Sequence, residues 1–269
     1  MTAHGSVAYD VRDIRVQHGE VRALDGVTLA IEAGESVALV GPSGAGKTSL
    51  LRALAATLTP TSGDVLLFGS HIQEVLRGGM LPSFVGLMPQ RLDLVPQLTV
   101  KHNVQAGALG RWGLWRSLVA LLLPVEDPHA RVATVRVGIE AQFGQRTSRC
   151  SGGEQQRVAL ARLLVQDPRV LLVDEPVSSL DPVRADQLLG LLRRLSDEDG
   201  RTLIASLHSP ELARRHFDRI IGLRQGRVAF DERSSEVTDA LLDDVYELVE
   251  VTEFAVGDAE RGEGLVAGR

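Results

Sequence analysis

The hydrophobic positions change period several times along the chain, and each change marks an element. Val27, Leu29 and Ile31 alternate with Thr28, Ala30 and Glu32, the period-two pattern of a strand with one buried face. The turn Ala33-Gly34-Glu35 leads into Ser36-Val37-Ala38-Leu39-Val40, a run apolar on both faces that suits a central parallel strand. After a glycine-rich loop, Thr48 to Leu58 places Leu51, Leu54, Ala55 and Leu58 at helical spacing. Roughly 91–165 lacks strong strand runs and reads as helical. Strand signals return at Val170–Val173 and at Thr202–Ala205, with Leu188, Leu191, Leu192 and Leu195 at helical spacing between them. Strand, helix, strand at this spacing predicts βαβ units in a parallel sheet. Ile220 to Phe230, broken at Gln225-Gly226, reads as a β-hairpin. From Thr238 to Glu250, Leu241, Leu242, Val245, Tyr246 and Val249 share one helical stripe opposite an acidic face. Such a helix either packs on the core or docks a partner. Beyond Val256 the chain is glycine-rich and is expected to fray.

Composition narrows the classes. A chain of 269 residues that is 44% hydrophobic and 24% charged can bury a full core, which excludes disorder and collagen-like repeats. The single cysteine, Cys150, forbids an internal disulfide and fits a reducing compartment. Met1–Asp13 lacks the apolar stretch of a secretory signal. The apolar run Leu118–Val125 is well short of the ~18 residues of a membrane span. The net charge of −6 is unevenly spread: residues 236–269 hold ten acids and two arginines, which leaves +2 on the rest. No basic block favours nucleic acid.

The glycine-rich loop carries the chemistry. Gly41-Pro42-Ser43-Gly44-Ala45-Gly46-Lys47-Thr48, followed by Ser49, matches G-x-x-x-x-G-K-[ST] between a strand and a helix. Glycines let backbone N–H groups turn inward around phosphate oxygens, and the following helix adds its positive dipole end. Lys47 is expected to reach the β- and γ-phosphates of ATP, and the Thr48 hydroxyl to ligate Mg²⁺. A second element, Val170-Leu171-Leu172-Val173-Asp174-Glu175, ends an apolar strand in two adjacent carboxylates. Asp174 is expected to hold Mg²⁺ and Glu175 to act on the attacking water.

Ser151-Gly152-Gly153-Glu154-Gln155-Gln156-Arg157 opens a helix some 20 residues before Asp174 and resembles the signature of ABC-type ATPases, usually written L-S-G-G-Q. Gln90 in Met88-Pro89-Gln90 resembles that family's Q-loop. Ser178-Ser179-Leu180-Asp181 resembles its D-loop, and His208 after Ile204–Leu207 its switch histidine. The resemblance covers roughly 7–232 and is strongest toward the ATPases of phosphonate-type importers. The stretches that carry it are Arg91–Val95, Asn103-Val104, Ala108–Arg111, Trp115–Leu118, Glu198–Gly200 and Asp218–Arg224.

The resemblance implies an α/β fold of the P-loop, RecA-like kind: a parallel-sheet core about 7–90 and 166–235, an N-terminal antiparallel β region, and a helical subdomain about 91–165. Together they would form an ATPase domain over 1–235, followed by the acidic segment 236–269. Two such domains, from a second copy or a paralogue, would close head to tail over two ATPs. Ser151, Gly152, Gly153 and Asp181 would face the nucleotide held by the other protomer. His208 would touch the γ-phosphate and orient Glu175, and Gln90 would sense Mg²⁺ and the attacking water. The implied partners are membrane permease subunits and, indirectly, a solute-binding protein, with the chain peripheral on the cytoplasmic face of the inner membrane. The solute would be phosphonate or a related oxoanion.

Three departures stand out. His18 occupies the place of the aromatic residue that stacks on adenine. Cys150 replaces the leading Leu of the signature. Glu154 replaces its final Gln, and a carboxylate there either strengthens the helix dipole or repels phosphate. Trp112 and Trp115, with Leu114, Leu118 and Leu122 beside Arg111 and Arg116, form either subdomain core or a groove for a permease helix. An exporter ATPase, a non-transport ABC protein acting on ribosomes or DNA, and a degenerate binding module are the competing readings. Glu175 and His208 argue against the last.

Overall fold

The computed structural model describes residues 6–110 and 127–246. The tryptophan patch, Val249 and the glycine-rich end lie outside the described residues.

Among the described residues ten strands form two sheets: β1 (Val7–His18), β2 (Val21–Glu32), β3 (Ser36–Val40), β4 (Ser62–Leu67), β5 (Ser70–His71), β6 (Val85–Met88), β7 (Val170–Asp174), β8 (Thr202–Ser206), β9 (Arg219–Arg224) and β10 (Arg227–Arg233). One sheet is antiparallel, in the order β2-β1-β4-β5. The other runs β10-β9-β3-β8-β7-β6 and is parallel except at β10. Every residue of β3, β7 and β8 is buried, because both faces of these strands meet apolar partners.

The alternation of side chains along these central strands divides the interior in two. Val37 and Leu39, Val170 and Leu172, and Ile204 face a core shared with the antiparallel sheet and the helix Lys47–Leu54. Ala38 and Val40, Leu171 and Val173, and Leu203 and Ala205 face the opposite core, built with the helices Pro128–Arg136, Gly152–Gln166 and Pro182–Glu198. The buried Tyr9 ties the first core together by donating its hydroxyl to the Leu54 carbonyl at 2.7 Å.

The expected hairpin is present as β9 and β10. Its two turn residues, Gln225 (φ 50°) and Gly226 (φ 75°), both take the left-handed conformation that a two-residue turn between twisted strands requires. The helix after the glycine-rich loop is shorter than the spacing predicts. It ends at Leu54, Ala56 turns left-handed, and the N–H groups of Thr57 and Leu58 both return to the Arg52 carbonyl. Ala55 and Leu58 still pack on the core from beyond the helix end, so burial alone makes the pattern look helical. In the Glu198–Gly200 stretch, Asp199 bridges Arg136 and Arg201 at 2.9 Å each, which joins the helix Pro128–Arg136 to the start of β8.

Residues 239–246 are helical. Val245 is buried, and Leu241, Leu242 and Tyr246 pack against the second core, so this part of the acidic segment lies on the body of the protein. Arg224 fastens it by donating to the Asp244 carbonyl and carboxylate.

Candidate functional site

The loop between β3 and the helix Lys47–Leu54 is shaped by two close approaches. A Cβ on Gly41 (φ 144°) would meet the Leu223 carbonyl at 2.2 Å, and one on Gly46 (φ 106°) the Ala23 carbonyl at 2.6 Å. Both distances forbid a side chain. Gly46 caps the helix with no side-chain hydrogen bond, and the first turn holds no acidic residue. The first N–H groups of that helix are therefore left for an anion. Lys47 is buried and folds back on the loop, donating to the carbonyls of Gly41 at 2.6 Å and Pro42 at 3.1 Å. Burial lowers its pKa, opposed by the negative charges of Glu175 and Asp174.

Beside it the carboxylates at the end of β7 are held by a short network. Asp174 Oδ1 accepts from Ser206 Oγ at 2.7 Å and from Thr48 Oγ1 at 3.1 Å. Ser206 Oγ in turn accepts the Glu175 N–H at 2.9 Å. Glu175 sits in the left-handed region (φ 48°), uncommon for a residue with a side chain and frequent where geometry serves chemistry. Its two carboxylate oxygens are both engaged. Gln90 Nε2 donates to Oε2 at 2.6 Å, and His208 Nε2 lies 2.6 Å from Oε1.

These residues surround one cavity of about 600 Å³ lined by Ser43, Gly44, Ala45, Gly46, Lys47, Thr48, Ser49, Gln90, Glu175 and His208, with Val21 and Ala23. Gly41 and Pro42 contribute the carbonyls that hold Lys47. Thr48 and Asp174 bring two hard oxygens to one point. That suits a divalent cation carried in by a nucleotide, which needs only one or two protein ligands.

Five expected site residues lie elsewhere. Ser151, Gly152 and Gly153 open the helix Gly152–Gln166; Ser151 and Gly153 line a separate cavity of about 210 Å³. Asp181 caps the helix Pro182–Glu198 through the Arg184 N–H at 3.1 Å. His18, at the end of β1, is exposed and pairs with Val21, and it is Val21 and Ala23 that border the loop cavity.

Glu154 is fully occupied. Its Oε2 accepts from the Ser151 N–H at 2.7 Å and hydroxyl at 3.0 Å, and its Oε1 from Gln142 Nε2 at 2.7 Å. The Ser151 hydroxyl oxygen accepts the Glu154 N–H, which completes a capping box. The Ser151 N–H, opposed by burial and then helped by the Ser151 hydroxyl and Gln142, holds the Glu154 pKa below its ordinary value. Cys150 is buried, and desolvation raises its thiol pKa, as for an inert apolar position.

Sequence reasoning missed Ser206, Asn103 and Arg162. The last two hold the loop after Gln90: Asn103 pairs with both backbone groups of Val95, and Arg162 donates to the carbonyls of Leu92 and Asp93. Asn103 lay within a stretch that marked the resemblance, so a signal existed for it.

The sequence profile described as ABC transporter matches residues 24–178. A shorter match, 149–214, is to a profile described as AAA domain, putative AbiEii toxin, Type IV TA system. The chain is 45% identical over 248 residues to the phosphonates import ATP-binding protein PhnC of Pseudomonas putida, covering 91% of this chain and 92% of that one. It is 47% identical over 229 residues to PhnC of Pseudomonas fluorescens, covering 84% and 86%. Among solved structures, a dimeric post-hydrolysis state of the ATP-binding cassette MJ0796 bound to ADP and Pi is similar at 28% identity and TM-score 0.71, over 84% of this chain and 98% of that one. The structure of cbiO1 from Clostridium perfringens, part of the ABC transporter complex cbiONQ, is similar at 25% identity and TM-score 0.72, over 86% and 90%.

Proposed function

The chain belongs to the ABC transporter family, and from that membership we propose that it hydrolyses ATP to drive an importer whose solute is a phosphonate or a related oxoanion. One observation carries the catalytic half: Lys47, Thr48, Glu175, Gln90 and His208, from distant parts of the chain, line one cavity, and Asp174 accepts the Thr48 hydroxyl beside it. The similarity to phosphonates import ATP-binding proteins over nearly the whole length supports the choice of solute.

In this reading the loop Gly41–Ser49 receives the phosphates. Lys47 leaves the Gly41 and Pro42 carbonyls for the β- and γ-phosphate oxygens, a stronger charge-assisted partner. Thr48, Asp174 and Gln90 would hold Mg²⁺, which would supply positive charge to the phosphate oxygens. Glu175 accepts a proton from the water that attacks the γ-phosphorus as its bond to the β–γ bridging oxygen breaks, leaving ADP and phosphate. His208 and Gln90 keep the Glu175 carboxylate aimed. Ser151, Gly152, Gly153 and Asp181 face the nucleotide of a second protomer, and His18 lies near adenine beside the wall formed by Val21 and Ala23.

The catalytic unit spans 1–235, divided into the core and helical parts expected from the sequence, and the acidic segment that follows packs on it through Val245 and Tyr246. Among the described residues no helix is long and apolar enough to cross a membrane. The chain works as a peripheral subunit on the cytoplasmic face of the inner membrane, bound to separate permease chains that receive solute from a binding protein. Purification of the tagged chain from native membranes in mild detergent tests this. A polytopic chain should co-purify, and ATP turnover of the complex in vesicles should rise when a binding protein loaded with methylphosphonate is supplied. Recovery of the protein alone or with ribosomes would refute the reading. A permease complex indifferent to any binding protein would point to export.

A further inference from the structure

Tyr246 lies 205 positions from Gly41, yet its hydroxyl accepts the Gly41 N–H at 3.1 Å. The same hydroxyl is 3.5 Å from the His208 carbonyl, to which it donates. One phenol thus bridges the first peptide of the phosphate loop and the backbone of the loop carrying His208. These loops leave the neighbouring parallel strands β3 and β8, which the Leu207 N–H joins to the Leu39 carbonyl at 2.9 Å, and the phenol adds a bridge beyond that point, from Gly41 to His208.

The ring is held for this purpose. It packs against the second core beside Leu242, and the helix bearing it is fastened by Arg224 through Asp244. Burial raises the Tyr246 pKa, partly offset by the Gly41 N–H, while the charge of Glu211 adds to the rise. The phenol therefore keeps its proton near neutrality and can accept from one loop while donating to the other. Gly41 is engaged at both ends, since its carbonyl accepts the Lys47 ammonium at 2.6 Å. A shift of this peptide moves the anchor of Lys47, and a shift of the His208 backbone moves the imidazole that touches Glu175.

We propose that Tyr246 is a positioning residue for ATP hydrolysis, setting the distance between the Lys47 loop and the His208–Glu175 pair so that both meet one γ-phosphate. It touches none of the reacting atoms, and the proposal rests on the ATPase reading of the cavity.

The test is a cycle of four full-length proteins: wild type, Tyr246→Phe, His208→Ala and the double variant, compared by steady-state Mg-ATPase, ATP affinity and melting temperature. Tyr246→Phe keeps the packed ring and removes only the hydroxyl. Its kcat should fall about three- to tenfold, the range one hydrogen bond is worth, with KM within about twofold. Its melting temperature should stay close to wild type. In the His208→Ala background the same change should have little further effect, because neighbours acting as a unit are not additive. A kcat for Tyr246→Phe equal to wild type overturns the proposal. So does a loss that merely tracks a fall in melting temperature, or an equal fractional loss in both backgrounds. An inert wild-type chain would sink the ATPase reading and this proposal together. An active wild type with an unaffected Tyr246→Phe sinks this one alone.

Discussion

Two helix N-termini in this protein are built from glycine-rich sequence, and they are finished in opposite ways. The helix Lys47–Leu54 has Gly46 at its cap, no capping side chain and no acid in its first turn. The helix Gly152–Gln166 has Ser151 at its cap, Glu154 three residues on, and a complete reciprocal box between them. The first end keeps its N–H donors for a ligand, and at the second the Ser151 and Glu154 N–H groups are already taken by side chains of the same turn. A helix dipole alone therefore does not make an anion site; what decides is whether a side chain has already taken the donors. If the signature end receives phosphate from a second protomer, that phosphate competes with the Glu154 carboxylate for the Ser151 N–H and hydroxyl.

The largest effect expected at the open end removes the chemistry and leaves the donors. Glu175→Gln should lower ATP turnover by about 10²- to 10⁴-fold, the usual weight of a general base, while ATP still binds. Retained turnover would mean that the open end binds nucleotide for some purpose other than hydrolysis by this carboxylate. Next in size is Lys47→Ala. Loss of one charged hydrogen-bonding partner should weaken ATP binding by roughly 10- to 100-fold in direct titration. An unchanged affinity would show that the backbone N–H groups hold the phosphates alone.

At the capped end the expected change has the opposite sign. Glu154→Gln keeps an acceptor for the Ser151 N–H and removes the competing charge, so the ATP concentration for half-maximal turnover should fall about two- to fivefold, within the weight of one exposed charge at a helix end. A rise would show that the carboxylate supports the assembled state rather than opposing it.

The same contrast explains what could be read in the sequence. The glycine-rich loop was legible as a turn because its residues are consecutive between a buried strand and a helix. The hairpin was legible because Gln225-Gly226 fits a turn with two left-handed residues. The end of the first helix is misread because Ala55 and Leu58 pack on the core from beyond it. Ser206 looked like one more position of a buried strand, and only the fold places its hydroxyl between Asp174 and Glu175. Tyr246 read as part of an apolar stripe, since nothing local in sequence points a phenol at a glycine 205 positions away. The full set of partners of Glu154 was not legible, because Gln142, which holds its second oxygen beside the Ser151 cap, lies twelve residues upstream.

The smallest effect concerns stability, and it isolates the capping charge without any nucleotide. Glu154 has a folded-state pKa below its ordinary value, held there first by the Ser151 N–H. A depressed carboxylate pKa stabilises the fold above the unfolded-state value and loses that contribution as pH falls through the folded-state value. Near pH 7 wild type should therefore melt about 1–3 °C above Glu154→Gln, as one charge at a helix N-terminus is worth in a chain of this size. The gap should narrow once pH drops below the ordinary carboxylate range and close when Glu154 is protonated, because a neutral acid and an amide then cap alike. Melting curves of the two proteins from pH 7 to pH 3 check this. A gap that persists to the acid end would mean that the side chain acts through shape and hydrogen bonding alone, and the charge that distinguishes the two helix ends would then have no energetic weight in the isolated chain.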